Sequence, residues 1–122
     1  MMHNKESVLT EFTDSWKWVQ QYFYDLNFYF APKICNLIKQ MQQKGYDRTL
    51  RAGASVADLI VSRAEHYGLA HDQSHIKFSP SGHGMKVIAQ FDGKEEVLMC
   101  EQIELTPQID AILRRLEAEA IS

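Results

Sequence analysis

The sequence predicts an α+β domain in which three N-terminal helices, a three-stranded antiparallel meander and a C-terminal helix pack as two layers. Three observations carry this. Apolar residues recur at helical spacing through the first half of the chain, the period changes to two after Ser74, and helical spacing returns after Pro107. With 122 residues, 45% of them hydrophobic and 11% aromatic, the chain has the material for one packed core, so residues 1–122 are expected to form a single domain. A three-stranded sheet with one apolar face must be covered, and the helices are the only cover available.

The first helix rests on Leu9, Phe12, Trp16, Val19, Phe23, Leu26 and Phe30, spaced alternately three and four apart. Asn4 is a suitable cap, and Pro32 disfavours helical geometry at Ala31, so this helix should end near Phe30 or earlier. Pro32 suits the first turn of a second helix whose buried face is Ile34, Leu37, Ile38 and Met41, with Gly45 just past its end. Ser55 and Asp58 resemble a capping box, and Val56, Leu59, Ile60, Ala64 and Tyr67 then suggest a third helix closed by Gly68 and Leu69.

Ile76 and Phe78 alternate with polar neighbours in a first strand, and Pro80 to Gly84 read as a turn. Met85, Val87, Ala89 and Phe91 mark a second strand. Asp92-Gly93 is a strong hairpin signal, because both central positions of the favoured turn need positive φ. The third strand is expected over residues 96–105, with a bulge near Cys100 and Glu101 where the apolar pattern changes face. Thr106-Pro107 caps and opens a last helix on Ile109, Ile112, Leu113 and Leu116.

Composition excludes several classes of function. Thirteen basic and sixteen acidic residues give a net charge of −3, without the basic surplus of a nucleic-acid or anionic-membrane binder. Cys35 and Cys100 lack metal-ligand or C-x-x-C spacing and read as buried structural thiols. The first six residues are too polar for a signal peptide, and the aromatic run from Trp16 to Phe30 is too short and too polar to cross a bilayer. A reduced, cytoplasmic protein is expected.

No catalytic or metal motif survives its plainer reading. His66, His71 and His75 lie close together beside Asp72, but at positions that diverge as a helix end, a loop and a strand start, so no metal is expected. Ser81 and His83 share a turn without the third orienting group a nucleophile requires, and the glycines beside them sit between two strands instead of opening a helix. Glu95, Glu96, Glu101 and Glu104 read as a solvated acidic edge. No cofactor is implied. Charge is unevenly placed: residues 33–63 carry six basic and two acidic side chains, residues 92–119 three basic and eight acidic. Kept apart in the fold, these segments would favour contact with a charged partner.

Two candidate sites remain. Trp18, Tyr22 and Tyr29 widen the apolar stripe of the first helix onto a flank that the core need not cover, and Trp and Tyr are enriched at interface hot spots. They point to a small non-enzymatic interaction module, an adaptor, regulator or inhibitor, that self-associates as a homodimer or binds another protein. Arg48 and Arg51 lie before the expected third helix, where backbone N–H groups would join them in holding a small anion. On that alternative the protein is a small-molecule binding domain or enzyme, with a site between helices and sheet that also draws on His75 or His83 and Glu101.

Overall fold

The structure, a computed structural model, describes residues 5–26, 28–65 and 73–121. Among them the order is α1 (Lys5–Asp25), α2 (Ala31–Gln43), α3 (Tyr46–Thr49), β1 (Arg51–Ser55), β2 (Asp58–Ser62), β3 (His75–Ser81), β4 (Gly84–Phe91), β5 (Lys94–Cys100) and α4 (Pro107–Glu117). The five strands form one antiparallel sheet in the order β1-β2-β3-β4-β5. A two-layer α+β arrangement is present, but the expected three-stranded meander has five strands.

The correction lies where a third helix was expected. Residues 51–62 instead form a hairpin, with Ser55 opposite Asp58 and Arg51 opposite Ser62. Ala52, Ala54, Leu59 and Val61 share the inward face, a period of two interrupted by the turn at Val56-Ala57. The helical spacing of Val56, Leu59 and Ile60 is a coincidence of that interruption: Leu59 is buried, whereas Val56 is 75% exposed at the turn. Ser55 and Asp58, expected as a cap, close the hairpin. Tyr67, Gly68 and Leu69, the expected end of that helix, and Asn4, the expected cap of the first, lie outside the described residues.

Other boundaries follow local chemistry. α2 carries Pro32 in its first turn, and Gly45 beyond its end takes the left-handed φ of 86° that glycine adopts without penalty. Asp92 and Gly93 have φ of 53° and 74°, the turn their sequence predicts. Pro80 belongs to β3 and not to the turn; the amide it lacks would have pointed past the end of β2, so no ladder bond is lost. β5 ends at Cys100, so the change of face read as a bulge is the chain leaving the sheet, which lets Ile103 reach the core. That departure is tight: a Cβ on Gly84 would lie 1.9 Å from the Cys100 carbonyl oxygen. Thr106 caps α4 by accepting from the Ile109 amide at 3.3 Å.

Trp16, Val19 and Phe23 of α1, Ile34, Leu37, Ile38 and Met41 of α2, and Ile109, Leu113 and Leu116 of α4 form one core with the inward face of the sheet. Inward positions include Ala52, Val61, Ile76 and Ala89, which are directly paired from strand to strand. The opposite face carries Ile60, Lys77, Ile88 and Val97 in one row across four strands.

Candidate interaction surface

One flank of α1 is fixed along β1. The buried stripe of Phe12, Trp16, Val19 and Phe23 places Glu11, Ser15, Trp18 and Tyr22 together at its side. Glu11 pairs with Arg51 at 3.2 Å, the Ala52 amide donates to Ser15 Oγ at 2.9 Å, and the Tyr22 hydroxyl donates to the Val56 carbonyl at 2.7 Å. The span from residue 11 to 22 along a helix and that from 51 to 56 along a strand are both about 16 Å, so the two elements keep step. The Trp16 indole donates to the Leu50 carbonyl at 2.8 Å and locks the seam from within.

Beyond α1 the chain carries a second aromatic group. Phe28 stacks on Phe30 with ring centroids 5.3 Å apart, Tyr29 meets Phe30 edge-on, and the Tyr29 hydroxyl donates to the Gly82 carbonyl at 2.8 Å. Val56 and Gly82 head the β1–β2 and β3–β4 turns, which lie at the same end of a meander and two strand spacings apart, about 10 Å. Each turn is thus held by a tyrosine hydroxyl, and the rings are fixed with their polar tips already bonded.

These rings stay open to solvent. Trp18, stacked on Tyr22 with centroids 5.3 Å apart, is 49% exposed; Tyr29 is 70% and Phe28 47% exposed. Tyr22 is half-buried by its contacts. Of these residues the sequence singled out Trp18, Tyr22 and Tyr29. Val56 was missed because the expected third helix buried it, and Phe28 because it lies off the helical stripe. Tyr24 is also exposed, on the opposite flank of α1.

The two arginines are placed apart. Arg48 is exposed on the single turn α3. Arg51 is buried as the first residue of β1: its guanidinium donates to the Ala64 and Glu65 carbonyls, both at 2.7 Å, and packs 5.2 Å from the Phe12 ring centre. The helix N-terminus expected beside them is absent, because a strand occupies that stretch. His75 opens β3 and His83 lies in the turn beyond its far end, with about 20 Å of extended strand between them. Glu101 follows β5, at the His83 end of the sheet.

Among the described residues no three His, Cys, Asp or Glu side chains are grouped to hold a metal, and no helix is long and apolar enough to cross a membrane. His66, His71 and Asp72 lie outside those residues. Burial pushes the Cys35 and Cys100 thiols up from their ordinary range, Lys39 opposing this at Cys35, so both are held in the poorly nucleophilic protonated form. Comparison with known protein families, with curated proteins and with solved structures finds no match.

Proposed function

We propose that this chain is a small cytoplasmic interaction module, without catalytic activity, that self-associates as a homodimer through the aromatic end of the sheet. The observation carrying the reading is the group Trp18, Phe28, Tyr29 and Val56: large, exposed and apolar, beside two strand turns that the Tyr22 and Tyr29 hydroxyls tie to α1 and the segment after it. Pinned aromatic rings lose little conformational freedom on contact and present large areas for burial, the combination found at interface hot spots. An adaptor, regulator or inhibitor needs such a face.

The double variant Trp18→Ala, Tyr29→Ala tests it. Light scattering across a micromolar concentration series should show a dimer for the native chain. The variant should dissociate at least tenfold more readily, with an unchanged far-ultraviolet spectrum. A native chain that is monomeric throughout the series overturns the homodimer.

A further inference from the structure

The two edges of the sheet differ. The β1 edge is sealed by α1, whose Ser15 accepts the outward amide of Ala52. Among the described residues no strand lies beyond β5. The two-residue turn at Asp92-Gly93 makes Phe91 and Lys94 a hydrogen-bonded pair, so Glu96, Leu98 and Cys100 direct their backbone groups to β4. Glu95, Val97 and Met99 therefore direct theirs outward. Seven residues of edge carry exposed Val97 and Met99 on one face, while an open groove of about 470 Å³ runs between β5 and α4 on the other. Leu98, Ala111 and Ile112 line that groove, and a second hollow of about 340 Å³ continues it past Glu101 and Glu104 through shared Leu98 and Gln108. An added strand would thus find apolar surface for both sets of its alternating side chains, and carboxylates at one end.

From this edge, groove and charge we infer that β5 and α4 form a docking site for an extended basic segment of a partner protein, taken up as a sixth strand. Charge selects this occupant over a second copy. Two β5 strands paired about a two-fold axis would gather Glu95 and Glu101 of both copies on one seam, with Lys94 to offset them, while Glu96 is already paired with Arg115. A register centred on Glu96 sets that residue against itself, one centred on Leu98 sets Glu95 against Glu101, and one centred on Val97 opposes no carboxylates but gains no ion pair either. A lysine- or arginine-bearing strand meets the same carboxylates favourably. This site shares no residue with the aromatic group, although its Glu101 end lies against Gly84 at the same end of the sheet, and it does not rest on the homodimer.

The probe is a labelled nine-residue peptide with a Val-Thr-Val-Ile-Val centre and two lysines at each end, read by fluorescence anisotropy beside a twin with glutamates at its ends. Saturable binding of the basic peptide, at least tenfold tighter than its acidic twin, is expected. Val97→Pro removes an outward amide without touching the β4 ladder and should weaken binding tenfold or more. Glu101→Lys with Glu104→Lys, which leaves the strand intact, should do the same. On peptide addition the amides of Glu95, Val97 and Met99 should gain protection from hydrogen exchange. No binding at millimolar peptide, equal binding of the two peptides, unchanged exchange at those amides, or a native dimer that Val97→Pro dissociates would each overturn the inference.

Discussion

Val56 is a β-branched residue at φ 55°, where its Cβ crowds its own backbone, and it heads a tight turn with its side chain in solvent. Glycine fits this position without that crowding but loses more chain entropy on folding. On balance Val56→Gly should stabilise the domain by about 0.5–1 kcal/mol, measured by urea denaturation. The same change removes exposed apolar surface at the turn that Tyr22 holds, so it should also weaken self-association. A gain in stability with a loss of contact is the signature of strain kept for binding. Tyr46 offers a different test. Burial first, then the hydrogen bond to Asp110 at 2.5 Å, push its hydroxyl up to about 12. Between its ordinary value of about 10 and 12 the folded chain holds a proton that the unfolded chain has released. Stability from this group is therefore whole below pH 10 and falls as pH rises toward 12. Tyr46→Phe should flatten that part of the native stability profile.

At the scale of elements, α1 works as a core helix and an edge seal at once. Trp16→Phe keeps an aromatic ring but strips the Leu50 carbonyl of its buried donor and leaves a void. A loss of about 2–3 kcal/mol is expected in urea denaturation. The outer helices were legible because their caps and stripes are local: Pro32, Gly45, Thr106 and the three-four spacing each signal themselves. The Asp92-Gly93 turn was legible for the same reason. β1 and β2 were not. Val56-Ala57 carries no turn residue, and the turn is stabilised by Tyr22 from 34 positions away, a contact that no window of sequence contains. Ala52, Ala54 and Gly53 have little strand preference of their own, and pairing with Leu59 and Val61 decides their state.

At the scale of the whole molecule, Lys44 and Asp110 join the two oppositely charged segments. Lys44 and Arg114 both pair with Asp110, Arg115 reaches Glu96 at 2.6 Å while stacking on Phe91, and Thr49 bonds Glu117. Arg114–Asp110 and Arg115–Glu96 both lie within residues 92–119, so the contrast with residues 33–63 is offset only at Lys44 and an acidic surplus remains near β5. Trp18, Tyr22 and Tyr29 could be singled out because they flank a stripe at helical spacing, although α1 ends at Asp25 and Tyr29 lies beyond it. The open β5 edge could not, because which strand is outermost is a property of the whole sheet.

The strictly sequential meander has a consequence for how the chain reaches this state. Every strand lies beside its neighbour in the chain, so the sheet can grow hairpin by hairpin through loops that close with little entropic loss. Distant closures are made by the helices and the segment after α1: Trp16 to Leu50 across 34 residues, Tyr29 to Gly82 across 53, and Tyr46 to Asp110 across 64. A partly folded sheet awaiting α1 would have two bare edges instead of one. Docking of the first helix is thus the step that ends the period of greatest exposure to aggregation during folding.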